Sequence, residues 1–130
     1  MYFLDANTVI YLFRGEGRVM DRMFATSVEE VAIPAPVLYE LEVGIANSSQ
    51  PARRRTQIDT LLTAVAVVPF DRAAAVHASQ AGTVLRRAGS MIGPIDILIA
   101  GTALAHGATV VTRNAREFRR VRGLAVEDWY

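Results

Sequence analysis

Short apolar runs recur along the chain, each separated from the next by a long stretch of other character. They are Tyr2-Phe3-Leu4, Val31-Ala32-Ile33, Val65-Ala66-Val67-Val68, Thr109-Val110-Val111 and a weaker Leu124-Ala125-Val126-Glu127. Each is too short for a helix, and most are rich in β-branched residues and closed by Asp, Pro or Thr, the pattern of buried strands. Parallel strands require crossover connections of about a dozen residues or more, and the intervening stretches supply them. The alternation predicts a parallel sheet of four or five strands covered by helices on both faces. We read a single α/β domain over residues 1–130, with no internal repeat, low-complexity tract or linker.

The intervening stretches carry helical spacing. Val9, Ile10, Leu12 and Phe13 mark a first helix, punctuated by Gly15 and Gly17. A second covers residues 18–26, with Val19, Met23 and Phe24 as inward candidates. After Pro34 and Pro36, residues 37–46 place Leu38, Leu41 and Ile45 on one face. Residues 53–64 form another helix around Ile58, Leu61 and Leu62. Asp71 is placed to cap a long helix ending near Arg87. Gly93-Pro94 opens the next, and His106-Gly107 closes it. Asn114 caps a short helix through Glu117-Phe118.

Two absences restrict the chemistry. All fourteen basic side chains are Arg, and the chain has neither Lys nor Cys. That removes a Walker-type phosphate loop, Schiff-base chemistry, thiol nucleophiles and Cys-based metal or redox sites. His77 and His106 stand apart from any acid at ligand spacing and read as structural. No Ser lies in a nucleophile-elbow pattern. Carboxylates, hydroxyls and Arg remain. Net charge is +1, yet residues 1–50 carry three Arg and seven acids while residues 51–130 carry eleven Arg and six acids. That polarity suits an acidic site beside a basic surface, or else dispersed solvated Arg. Arg53-Arg54-Arg55 reads as a solvated helix face, with contact to a phosphate backbone as the alternative. The start lacks a basic region before its first acid, and no apolar run of about 18 residues exists, so the expectation is a cytoplasmic protein outside the membrane.

In open parallel sheets ligands bind beyond the carboxyl ends of the strands. Asp5 directly follows the first strand and Glu117 lies shortly after the Thr109–Val111 strand. Asp96 and Glu40 lie early in helices. Such acids can converge into a cluster neutralised by a hard divalent cation. Each also has a local explanation. Asp5 can be a helix N-cap, Asp96 can complement a helix dipole at the third helical position, and Glu40 can be solvated. Asn114-Ala115-Arg116-Glu117 has capping-box spacing.

Read together, these segments resemble the PIN-domain ribonucleases, specifically the VapC-type toxins of bacterial toxin–antitoxin pairs. The resemblance covers nearly the whole chain. It is carried by Tyr2-Phe3-Leu4-Asp5-Ala6-Asn7, by Glu40-Leu41-Glu42-Val43-Gly44 and by Ile92-Gly93-Pro94-Ile95-Asp96-Ile97-Leu98-Ile99-Ala100. The fourth block is Thr112-Arg113-Asn114-Ala115-Arg116-Glu117-Phe118 with Gly123-Leu124 and Asp128-Trp129. It implies a PIN-like three-layer sandwich and Mg²⁺- or Mn²⁺-dependent hydrolysis of RNA. Asp5 and Asp96 are then the principal metal ligands, with Glu40 and Glu117 completing the acidic pocket. Asn7, Thr112 and Asn114 match the polar residues around it, and Arg86, Arg87, Arg113 and Arg116 are the nearest in sequence to hold the RNA backbone. The implied partners are a VapB-type antitoxin that blocks the cleft and a second copy of the chain, in a homodimer and a toxin–antitoxin hetero-oligomer.

The chain departs from the family pattern in three places. Ala6 stands where many members have Thr, and Glu117 where many have Asp. Glu42 competes with Glu40 for one position, and the Leu41 and Gly44 spacing favours Glu40. Two rivals remain at this level. One is a non-catalytic α/β binding module whose acids are only caps. The other is a different metal-dependent phosphodiesterase, such as a phosphatase or a structure-specific DNA nuclease.

Overall fold

In the computed structural model, which describes residues 1–130, every apolar run becomes a strand. These are β1 (Tyr2–Leu4), β2 (Val31–Pro34), β3 (Ala66–Val68), β4 (Thr109–Val111) and β5 (Ala125–Glu127). They form one five-stranded sheet in the order β3-β2-β1-β4-β5, parallel at every pairing. Helices cover both faces, giving the three-layer α/β sandwich expected from the alternation. They are α1 (Ala6–Arg14), α2 (Val19–Phe24), α3 (Ala35–Ala46), α4 (Pro51–Ala64), α5 (Arg72–Arg87), α6 (Pro94–His106) and α7 (Ala115–Phe118).

The central strands hold the core. Phe3 and Leu4 of β1, Ile33 of β2 and Val110 and Val111 of β4 are fully enclosed. They pack with Val9 of α1, Val37 of α3, Ile99 of α6, Phe118 of α7 and Trp129. The edge strands β3 and β5 are much more open. The chain first builds outward from β1 through β2 to β3, then returns to place β4 on β1's other side. The carboxyl ends of β1 and β4 therefore flank the point where the winding reverses, where this class of sheet opens a crevice for ligands.

Three helix boundaries and one side chain differ from the sequence expectation, the α2 boundary among them, since it runs Val19–Phe24 rather than over residues 18–26. α3 starts at Ala35, before Pro36, and α4 starts at Pro51. A first-turn N–H has no helical partner, so proline enters there without loss. A 3₁₀ turn over Val28–Glu30 precedes β2. Phe24 is 85% exposed rather than inward, because α2 ends one residue later, at its Ala25 cap. The close seating of α6 on α5 depends on Gly101. A Cβ there would stand 2.5 Å from the Ala78 Cβ and 2.7 Å from the Ala74 carbonyl oxygen. Gly107 ends α6 in the left-handed conformation, with φ of 60°, as the His106-Gly107 stop predicts.

Candidate active site

Asp5 is fixed before any ligand is considered. It leaves β1 with its backbone N–H bonded to the Val111 carbonyl at 3.1 Å, which ties it to β4. One carboxylate oxygen, Oδ1, accepts the Thr8 N–H at 2.8 Å and caps α1. The other, Oδ2, accepts the Thr112 hydroxyl at 2.5 Å. Thr112 Oγ1 in turn accepts the Asn114 backbone N–H at 2.9 Å. Thr8 donates its own hydroxyl to the Val111 carbonyl at 3.1 Å. A hydrogen-bonded chain thus runs across the ends of β1 and β4 and locks the carboxylate's orientation.

The other acids arrive on helices. Gly93 and Pro94 open α6, which sets Asp96 in its first turn. Glu40 projects from α3. Asp5, Asn7, Glu40, Asp96 and Asn114, with Ala6, line one cavity of about 190 Å³. Glu117 sits beside it, accepting the Asn114 Nδ2 donor at 3.0 Å. Asn114 makes no capping bond of its own to α7. The capping-box spacing therefore produces a side-chain pair between Asn114 and Glu117 instead.

Asp5, Glu40 and Asp96 are all raised above the ordinary carboxylate range. Burial pushes Asp5 above the ordinary range, against the lowering effect of its Thr112 and Thr8 bonds, and the Asp128 carboxylate adds to the rise. Glu40 is raised by burial and by the charges of Asp96 and Asp5. Asp96 is pushed up to about 6 by burial, then by Glu117 and Asp5. No cationic side chain lines the cavity. Mutual repulsion of this kind marks a site built for a positive partner. The donors are all carboxylate or carboxamide oxygens, which suits a hard divalent cation. No three of these acids stand close enough together to hold an ion by themselves, so any cation here would need water for the rest of its oxygen ligands.

Glu42 takes no part in the pocket. Both its oxygens bind Arg55, at 2.7 and 2.5 Å, on the outer surface. Asn7, Thr112 and Asn114 all lie in or against the pocket. Thr8 and Asp128 also bear on Asp5, although the sequence pattern gives neither a site role, Asp128 standing only in the fourth block. Thr8 carries a readable signal, three residues after a capping Asp. Asp128 reaches Asp5 only through the β4–β5 pairing, which leaves no local mark.

Arg86, Arg87, Arg113 and Arg116 do not line the acidic cavity. The Arg113 guanidinium lies 3.6 Å over the Tyr130 ring and is held by Tyr11 as well. Arg14 and Arg54 instead line a groove that shares Ala6, Asn7 and Glu40 with the cavity. Arg14 was unremarked in the sequence, although its place seven residues after Asn7 puts both on one helical face.

Comparison with known proteins agrees with this geometry. The PIN domain family model matches residues 2–124. The tRNA(fMet)-specific endonuclease VapC of Salmonella typhimurium is 34% identical over 128 residues, covering 98% of this chain and 97% of that protein. The solved structure of VapBC2 from Rickettsia felis, bound to a DNA fragment from its promoter, superposes with a TM-score of 0.92 at 28% identity, covering 99% of this chain and 98% of that one. DNA-bound VapBC from Salmonella typhimurium gives 0.91 at 33% identity, with the same coverage of both chains.

Proposed function

This chain belongs to the PIN-domain family, and we propose that it is a divalent-metal-dependent endoribonuclease of the VapC kind, the toxin of a toxin–antitoxin pair. The observation that carries the reading is the convergence of Asp5, Glu40 and Asp96 in one cavity at the reversal point of the sheet, with Glu117 held beside it by Asn114. The relatives supply the substrate class, since the similar proteins are named as ribonucleases or, in two cases, as tRNA(fMet)-specific endonucleases. The similar structures pair such a toxin with an antitoxin, so the proposed partner is a VapB-type antitoxin that closes the acidic cleft. A homodimer is part of the same proposal. No helix is long and apolar enough to cross a membrane.

Asp5 and Asp96 would be the main ligands of Mg²⁺ or Mn²⁺, which would supply Lewis-acid activation of water and phosphate. The chain's own residues prepare that site. Thr8 and Thr112 aim both oxygens of Asp5. Asn114 restrains Glu117 through its amide and Thr112 through its backbone N–H. Glu40 and Glu117 add negative charge that keeps the pocket unsatisfied until a cation enters. Without Lys or Cys in the chain, the substrate's phosphate charge is met by that cation and by Arg.

Two measurements test this. Asp96→Asn should abolish metal-dependent cleavage of RNA while the circular dichroism spectrum and melting temperature stay close to wild type. Calorimetric titration with Mn²⁺ should show binding to the free protein and weakened binding to the variant. Full cleavage by Asp96→Asn, or no Mn²⁺ binding by the wild type, would overturn the reading.

A further inference from the structure

The acidic cavity opens into a groove, and the groove opens into a basic basin. The cavity and groove share Asn7 and Glu40, while the groove and basin share Arg14, Ser48 and Arg54. The space widens from about 190 Å³ at the acids to about 600 Å³ at the basin. The floor is set by helix geometry. Asn7, Ile10 and Arg14 recur on one face of α1, and Arg14 stands about 10 Å along the axis from Asn7. On the facing α3, Gly44 has nothing within 4 Å of where a Cβ would stand, so the channel is open beside it.

Charge changes sign along this path. The basin is lined by Arg14, Arg53 and Arg54, opposed only by Glu16. None of the three arginines has a carboxylate partner, because the ion pairs of the molecule use Arg22 and Arg55. Arg53 and Arg54 are steadied by neutral amides, Gln50 at 3.5 Å and Gln57 at 2.9 Å, and Arg54 lies 5.5 Å over the Phe13 ring. Arg55, next in the same run, is turned outward and neutralised by Glu42. Phe13 is the only apolar residue lining the basin, which suits a polyanion better than a peptide seeking apolar anchors.

We propose that this groove is the track for the RNA backbone on one side of the scissile phosphate, with Arg14, Arg53 and Arg54 as its phosphate contacts. The inference rests on the ribonuclease reading above and adds where the substrate runs. A backbone entering the acidic cavity at Asn7 and Glu40 continues along α1 to the three guanidiniums, whose planar forks suit phosphate oxygens. Arg14 and Arg53 are exposed and hold no structural contact beyond Gln50, so they can be changed without unfolding the chain.

The test is steady-state cleavage of total tRNA at several salt concentrations by wild type and by Arg14→Gln/Arg53→Gln. The expected result is an apparent KM about tenfold higher, since one lost contact to a charged group already has that size, with kcat within about twofold. The slope of log KM against log salt should flatten by about 0.7–0.9 per lost phosphate contact. Adding Arg54→Gln should deepen both effects. If wild type cleaves tRNA and the double variant matches it in KM and salt slope, the track is refuted while the ribonuclease reading stands. If the variant keeps its KM but loses affinity for the antitoxin, the groove is a peptide track and the proposal is again refuted. If wild type cleaves no RNA, the ribonuclease reading fails and the track with it.

Discussion

Asp5 and Asp71 each follow a strand and cap the helix after it. Asp5 Oδ1 accepts the Thr8 N–H at 2.8 Å, and Asp71 Oδ1 accepts the Ala74 N–H at 2.9 Å. Their surroundings have little else in common. Asp5 ends the central strand, is 7% exposed and faces Glu40 and Asp96 across a cavity. Asp71 follows the edge strand β3 and is exposed. Asp5 has a second bond from Thr112, more than a hundred residues away in sequence, and Asp71 has none. The same local motif is thus a cap in one place and a cap plus a pocket wall in the other. What separates them is the position of the preceding strand in the sheet.

That contrast can be broken most sharply by replacing each Asp with Asn, which caps a helix about as well but carries no charge. Asp5→Asn should reduce RNA cleavage to background, whereas Asp71→Asn should stay within about twofold of wild type. Equal activities in the two variants would remove the distinction. The next effect concerns the bond that only Asp5 has. Thr112→Val should lower Mn²⁺ affinity or cleavage by about 10–100-fold, the usual cost of losing a residue that orients a ligand.

A smaller effect is expected in stability against pH. Raised carboxyls hold protons that the unfolded chain releases. For Asp96 that window runs from the ordinary 3.8 to about 6. Unfolding releases protons there, so the metal-free protein should lose stability as pH rises through it, with Glu40 and Asp5 acting in the same direction. The Asp96 share is about 1 kcal/mol once its half-exposure is allowed for. Denaturant titrations in chelator should show this fall, Asp96→Asn should flatten it, and Mn²⁺ at neutral pH should raise the midpoint. A metal-free stability that rises from pH 4 to 6 would contradict the raised carboxyls. The smallest effect belongs to the edge. Asp71→Ala should cost about 1 kcal/mol of stability through the lost cap and leave cleavage intact.

Much of this architecture was legible beforehand for local reasons. Tyr2–Leu4 and Thr109–Val111 read as strands because apolar runs of that length bury on both faces of a parallel sheet. The Gly93-Pro94 opening and the Gly107 stop of α6 read correctly because caps depend on the few residues beside them. The Leu41 and Gly44 spacing favours Glu40 over Glu42, and two residues along a helix point to different sides; Glu40 lines the cavity while Glu42 pairs with Arg55. Phe24 misled because an apolar residue at helical spacing faces inward only if the helix continues, and α2 is too short. For the arginines, nearness in sequence to the pocket does not predict which of them line the cavity: Arg113 stays exposed, with its guanidinium against the Tyr130 ring. Arg14, seven residues after Asn7, is brought to the groove by two turns of α1.

What the sequence alone determined is therefore the set of elements and the chemistry left open to them. Strand runs, caps and breaks are local consequences of side-chain shape and backbone hydrogen bonding. The lack of Lys and Cys leaves carboxylates and Arg to do the work. What only the tertiary structure decided is which of these residues meet. Placing β4 against β1 brings Thr112 to Asp5 and opens the crevice where Glu40 and Asp96 converge. It also sets a basic basin at the far end of the same groove. Burial and like-charge repulsion act through space and fall with distance, whatever the separation along the chain. Local spacing can therefore place an acid at a helix start, but only packing makes it one wall of an acidic cavity.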